Sequence, residues 1–307
     1  MKKLTKVSLE KAKEWIRNNG RPLEKSLVKF HFAGESSQGV ISALKTFQNE
    51  DGGFGNAMEP DLRTPASSIL GTSIALQVLR SLEIEMGDLD FVKSAVQYIL
   101  KNYNEADQSW RIIPRKAEDA PHAPWWNQTD REDNFHGFHL NPAAEILGYL
   151  YDYKDLVPAE TILSLSTRVL TELRNLNEIE MHDFLCCKRL YESKNLNETL
   201  KKEIELELLR LLDSCILKDL SRWSGYGLRP LQVVDSPDSI FINKLAKSVG
   251  ENLDYEIDTQ DSSGAWFPTW SWGDNFQSDW DQAKNEWTGI ITLDKLKLLK
   301  IFGRIEP

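Results

Sequence analysis

The chain has 307 residues, a net charge of -10, 41% hydrophobic and 27% charged residues, and three cysteines. That acidity disfavours nucleic acid and anionic membrane surfaces as partners. No run approaches the roughly 18 apolar residues of a membrane span, and no apolar signal segment follows Lys2-Lys3. Cys186, Cys187 and Cys215 are an odd number without framework spacing, which suits a reducing compartment and predicts a cytoplasmic protein.

Helical patterns dominate in chain order. Ser8 is positioned to cap a helix over 9–19 that stops at Gly20, and short apolar periodicity covers 22–33 and 37–48. Residues 65–82 enter at Pro65 and are small or apolar on nearly every side, which predicts a helix buried all round. Residues 88–103 come next behind Asp88, then 140–153 with Pro142 in the first turn, 158–176, 181–193 and 196–220. Residues 236–258 hold one or two helices, and 288–303 close the chain before the stop at Gly303. Strand-like alternation is scarce, and Pro114 argues against a strand at 110–115. The prediction is an all-α chain of antiparallel helix pairs, folded as a single domain over 1–307.

Four long segments, 49–64, 104–139, 221–237 and 259–287, read as aromatic-rich loops of the kind that carry function. In two of them the same turn is written twice. Gln48-Asn-Glu-Asp-Gly52-Gly-Phe54 and Gln260-Asp-Ser-Ser-Gly264-Ala-Trp266 share Gln-x3-Gly-x-aromatic, 212 residues apart. Glycine permits a positive φ, the aromatic ring plugs the gap between helix ends, and glutamine can bridge the groups those ends leave unbonded. Helix pairs of about 50 residues would put some four repeats between the copies. Gln108-Ser-Trp110 and Trp223-Ser-Gly-Tyr226 read as degenerate intermediates.

These turns resemble the QW-type repeats of the terpenoid cyclase and protein prenyltransferase superfamily. The resemblance implies an α/α toroid, with inner and outer rings of antiparallel helices around an aromatic-lined pocket. It implies an enzyme or binder for an apolar, isoprenoid-like small molecule. The family's chemical signatures do not carry over. No Asp-x-Asp-Asp occurs, and Asp213-Ser-Cys215 lies in a helical run with no histidine after it, so zinc is not supported. Whether the chain is an enzyme, and whether it needs magnesium, are left open by the sequence. There is also no dinucleotide or P-loop motif, Gly-x-Ser-x-Gly or His-Glu-x-x-His.

Candidate site residues fall in the loops. Glu59, Asp61 and Arg63 alternate between Pro60 and Pro65, so an acid/base pair beside an anion-binding guanidinium is one reading and a structural bridge the other. Asp130, Asp133, His136 and His139 cluster before Pro142; with Asp133 the histidines could hold zinc or a similar ion, and otherwise His136 and His139 are acid/base candidates or caps of the next helix. Leu228-Arg229-Pro230 echoes Leu62-Arg63-Thr64-Pro65, which makes Arg229 a structural bridge on one reading and a second anion clamp on the other. Trp125, Trp126, Trp223, Tyr226, Trp266, Trp270 and Trp272 would wall an apolar cavity, stack on sugar rings or fill loop cores. Two alternatives therefore stand beside the isoprenoid reading: a carbohydrate-active toroid, lyase or hydrolase, with Glu59 and Asp61 in its carboxylate pair, and a non-catalytic peptide-binding toroid.

Overall fold

The computed structural model describes residues 1–82, 88–129 and 131–307. Among them are twelve α-helices and no named strand. In order they are α1 (Lys6–Asn19), α2 (Pro22–Ala33), α3 (Gln38–Lys45), α4 (Ile69–Arg80), α5 (Leu89–Lys101), α6 (Leu140–Asp152), α7 (Ala159–Asn175), α8 (Met181–Tyr191), α9 (Glu198–Cys215), α10 (Pro230–Val233), α11 (Ile242–Asp258) and α12 (Gln277–Ile301). The chain packs as two compact units, Lys45–Cys215 and Met1–Leu44 with Ile216–Pro307.

Three helix starts differ from expectation, each for a local reason. Thr5, not Ser8, caps α1, because the Ser8 N–H donates to Thr5 Oγ1 at 3.1 Å. Helix α4 begins at Ile69 behind Ser68, whose Oγ accepts the Gly71 N–H at 2.9 Å, so Pro65 lies in the approach. Helix α12 begins at Gln277 rather than Thr288. Its first turns carry Trp280, Ala283 and Glu286 on a buried stripe at helical spacing. Two tryptophans expected in a loop, Trp280 and Trp287, are therefore helical.

In unit Lys45–Cys215, α6 packs on α8, α7 and α4, and α5 lies on α4. Nearly all of α6 is buried. Its one buried carboxylate, Glu145, accepts from Arg189 Nη1 at 2.9 Å and from the Tyr149 hydroxyl. Arg80 lies over the Tyr149 ring at 4.4 Å and pairs with Asp152 at 2.8 Å. Cys186 and Cys187 are buried on α8, where burial pushes both thiols well above the usual range. Burial also raises Cys215, to about 12, so the three sulfurs are packing groups. In the other unit, α1, α2 and α12 pack against one another, and a parallel bridge joins Leu4 to Ile305.

The duplicated turn is the same structure twice. In the first copy Asn49 N–H donates to Gly53 O at 2.9 Å; in the second Asp261 N–H donates to Ala265 O at 3.0 Å. Gln48 Nε2 donates to Gly52 O at 2.9 Å and Gln260 Nε2 to Gly264 O at 2.8 Å. Each glutamine amide also reaches the third residue of a neighbouring helix: Phe91 O of α5 at 3.3 Å, and Ser8 O of α1 at 3.1 Å. The aromatic N–H then donates to a threonine: Phe54 to Thr72 Oγ1 at 3.0 Å, Trp266 to Thr292 Oγ1 at 3.1 Å. Gly52 and Gly264 have φ of 87° and 92°. A Cβ on Gly52 would sit 2.4 Å from Ser94 O, and one on Gly264 would sit 2.6 Å from Lys11 C; these are the sixth residues of α5 and α1. By this correspondence α1 stands to α12 as α5 stands to α4. The helix next after α12 in the pattern is the first one in the chain.

A third turn lies just beyond α5, in a register that its glutamine does not mark. Asn104 and Ser109 exchange backbone bonds at 2.9 and 3.2 Å, and Trp110 is buried. The Trp110 indole donates to Ile99 O and that of Trp266 to Glu256 O, both at 2.8 Å and both in the last turn of the preceding helix. Gln108 therefore stands at the glycine position, two residues before the aromatic, with φ 51°. Its amide bonds Ser164 Oγ, on the sixth residue of α7. Around Trp223 the turn is different: the indole donates to Leu217 O at 2.7 Å, and Leu217 N–H to Leu228 O at 2.8 Å.

The turn predicts its own sensitivity. Gly52→Ala and Gly264→Ala each combine left-handed strain with overpacking against helix backbone, and should each destabilise the fold by about 2–4 kcal/mol in urea unfolding. Gln108→Ala, already at a position a side chain occupies, should cost only about 1 kcal/mol, the value of its amide bond. Similar losses at all three sites would refute the correspondence.

Candidate functional site

In unit Lys45–Cys215 the loop after the first turn is pinned on both sides. Arg63 N–H donates to Pro121 O at 3.0 Å and Ala123 N–H to Asp61 O at 2.9 Å, with an antiparallel bridge between Leu62 and His122. Leu62, Ile113, Ala117 and Phe135 form a small apolar core under Trp126 and Leu70. Glu59 and Asp61 are both buried within this loop structure. Arg63 Nη1 approaches Pro60 O at 3.5 Å. Glu59 lines a crevice too narrow for a water molecule between the loop and the start of α4, with Met58, Thr64, Ser68 and Gly71. Trp125 is 42% exposed, and the Trp126 indole N–H is buried without a protein partner among the described residues.

His136 and His139 occupy different settings. His136 Nε2 meets Glu132 Oε1 at 2.9 Å, and Arg111 Nη1 approaches the same carboxylate oxygen at 2.9 Å. Arg115 joins them. Bonds from Arg111 and His136 outweigh the burial that would raise Glu132 and hold it down to about 2. His139 is the residue before α6, with Nε2 2.8 Å from His136 O. Asp133 is exposed, and Asp130 lies outside the described residues. No group of three or more histidine, cysteine or carboxylate side chains suited to a metal ion occurs among the described residues.

In the other unit Arg229 and an aromatic group come from one loop. Arg229 Nη1 pairs with buried Glu256 of α11 at 3.2 Å, and its other nitrogen approaches Gly225 O at 3.4 Å. Glu256 also holds Lys295 of α12 and accepts from Asn252 Nδ2 at 3.1 Å. Two cations thus converge on one carboxylate. Burial, then the charge of Arg229, pulls Lys295 well below its usual pKa. Tyr226, 58% exposed, meets Trp270 edge-on at 5.9 Å, and Trp270 meets Trp287 of α12 edge-on at 5.2 Å. The indole N–H groups of Trp270 and Trp287 are buried and make no hydrogen bond among the described residues. Buried donors are normally bonded, so this pair is poised for an acceptor.

The structure thus distributes the predicted residues. Trp223, Trp266 and Trp272 are buried side chains; Trp223 stacks edge-on with Tyr255 at 5.5 Å, and Trp272 leans on Trp280 at 5.8 Å. Tyr226 and Trp270 come together, Arg229 of the same loop as Tyr226 turns to Glu256, and Glu59, Asp61 and Arg63 share one loop. The sequence reading misses Glu256 and Lys295, and places Trp287 in a loop rather than on a helix. Their signal is helical spacing: with α12 begun at Gln277, Trp287 and Lys295 fall on one element. No family model, curated protein or solved structure matches the chain.

The folded pKa of Glu132 lies below its unfolded value, so its contribution to stability is present above about pH 4.5 and is lost as pH falls toward about 2. Carbon-detected NMR should find this carboxyl titrating near 2, and Arg111→Met should move it up toward the ordinary range. A Glu132 that titrates normally in the unmodified protein would contradict the geometry. Separately, Glu256→Ala strands two mostly buried cations and should cost about 3 kcal/mol, while Glu256→Ala with Lys295→Met should recover part of that loss. Urea unfolding of the single and double variants measures it.

Proposed function

We propose that the chain is a divergent member of the terpenoid cyclase and prenyltransferase superfamily, an α/α toroid that binds an apolar, isoprenoid-like small molecule with an anionic or acceptor-bearing head. The fold part of this reading draws on the turn that repeats with its bonds intact and on α1 standing in the pattern behind α12. The ligand part is carried by one observation: the Tyr226–Trp270–Trp287 wall, with two unspent indole N–H groups beside the Arg229 loop. Edge-to-face rings give an apolar surface, and the two donors and the guanidinium give it polar ends. Glu59, Asp61, Arg63, His136 and His139 lie in unit Lys45–Cys215 and are a separate candidate set from this wall. Whether a bound ligand is turned over is decided by product analysis.

A thermal-shift panel tests the reading. Prenyl diphosphates and isoprenoid alcohols are compared with oligosaccharides, each with and without magnesium. A ligand at 100 times its Kd adds about 2.7 kcal/mol, which moves the midpoint by roughly 2 °C or more in a chain of this size. The expected result is a shift with isoprenoids that Trp270→Ala removes. Shifts confined to oligosaccharides would transfer the site to the carbohydrate reading, for which exposed Tyr226 and Trp125 would serve as stacking platforms. No shift with either class would leave the peptide-binding alternative.

A further inference from the structure

Three buried indole donors in this chain are spent on backbone carbonyls. Trp110 gives its Nε1–H to Ile99 O, Trp223 to Leu217 O and Trp266 to Glu256 O, at 2.8, 2.7 and 2.8 Å. Trp270 and Trp287 depart from that rule together. Their rings meet edge-on at 5.2 Å, and neither buried N–H has a partner among the described residues. Trp126, in unit Lys45–Cys215, is a further exception, packed on the apolar core that contains Leu62 and Phe135. A buried donor left unmet is costly, and two on touching rings point to one place where an acceptor belongs.

The charges on the same loops decide what kind of acceptor. Arg229 follows Tyr226 in its loop, but its side chain is only 13% exposed and already committed. It pairs with Glu256 at 3.2 Å, its second nitrogen approaches Gly225 O at 3.4 Å, and its guanidinium lies 5.6 Å from the Tyr255 ring. Lys295 is held by the same carboxylate. Arg222 stands in electrostatic range of Asp219. Lys284, one turn before Trp287 on α12, lies 5.9 Å over the Phe267 ring. On segment 265–287 that lysine is outnumbered by Asp274, Asp279, Asp281 and Glu286. A diphosphate or carboxylate brought to the two indoles would give up its water and meet more carboxylates than cations.

We propose that Trp270 and Trp287 hold an uncharged oxygen acceptor, so that the ligand of this wall is a neutral oxygenated isoprenoid, such as a ketone, quinone or ester, and not a prenyl diphosphate. This rests on the wall reading above and narrows it. An indole nitrogen only donates, so each of the two calls for a lone pair. A carbonyl oxygen has two lone pairs and can answer both donors, or two oxygens can answer one each. A neutral dipole also loses far less than an anion on leaving water. A cationic head fails in the opposite way. The ring faces and the carboxylates would attract it, but an ammonium has no lone pair for the two N–H groups. A hydrocarbon fits the rings and leaves both donors unmet.

The test is NMR of the indole N–H groups in the intact protein, titrated separately with farnesene, farnesylacetone and farnesyl diphosphate. These share an apolar chain and differ in the head: none, a ketone, an anion. Signals are assigned with Trp270→Phe and Trp287→Phe, which keep an aromatic ring and remove the donor. The ketone should bind roughly tenfold or more tightly than either other probe, the gain expected from two hydrogen bonds. It should move the Trp270 and Trp287 signals downfield and leave that of Trp126 in place. In the Trp287→Phe protein the ketone's advantage over the hydrocarbon should shrink while hydrocarbon binding persists. Tighter binding of the diphosphate would overturn the uncharged head and leave the wall reading standing. Equal binding of ketone and hydrocarbon with both signals unmoved would do the same. Signals already at hydrogen-bonded positions in the free protein would overturn it too, since the donors would be spent. Binding of none of the three would remove the wall reading and this inference with it.

Discussion

The side-chain amides of Gln48 and Gln260 do what backbone alone cannot do at these helix junctions. Each closes its own turn on the carbonyl four residues on and, with the same nitrogen, ties that turn to the third residue of a neighbouring helix. Free carbonyls and amides at helix ends would otherwise need water, which an aromatic plug excludes. The plug is Phe54 in one copy and Trp266 in the other, both buried. Glycine at positive φ is then obligatory, because the adjacent helix backbone lies where a Cβ would go. Helix spacing, loop direction and the entry to α4 and α12 all depend on this junction. The loops that leave the turns carry Glu59, Asp61 and Arg63 in one unit and Trp270 in the other.

Charge is treated in a consistent way on the helices behind those loops. Each unit has a buried carboxylate answered by basic side chains: Glu145 meets Arg189 and accepts from the Tyr149 hydroxyl, and Glu256 meets Arg229 and Lys295. Such pairs gain little net stability over apolar packing, but removing one partner leaves a buried charge that nothing answers. They hold their helices in one register and fix where Arg229 points. The indole donors of Trp270 and Trp287 are buried and make no hydrogen bond among the described residues.

Much of this architecture is legible in the sequence, and the failures have local causes. Most of the long helices announce themselves by apolar periodicity, and the two strong turns are legible because glycine and glutamine have no cheap substitutes there. The third turn reads out of register because Gln108 looks like the motif's glutamine, whereas backbone conformation makes it the glycine equivalent. Helix α12 reads too short because clustered tryptophans resemble a loop signal, and that places Trp287 in a loop instead of on a helix. Glu256 and Lys295 are ordinary helical residues in the sequence; only the folding of α11 against Arg229 gives them a role. Asp183 looks like a first-turn acid, and its bond from the Asn141 N–H of α6 is a tertiary fact that no local pattern encodes.

Native-state hydrogen exchange at the turn amides bears most directly on the central role given to them. The amides of Asn49 and Phe54, and those of Asp261 and Trp266, donate to Gly53, Thr72, Ala265 and Thr292 within the junctions. If the turns hold the helices together, these four amides exchange only through cooperative opening of their own unit, with protection matching the cores of α4 and α12. Exchange at the rate of exposed loop amides, while those helix cores stay protected, would show that the turns open independently and that the helices stand without them.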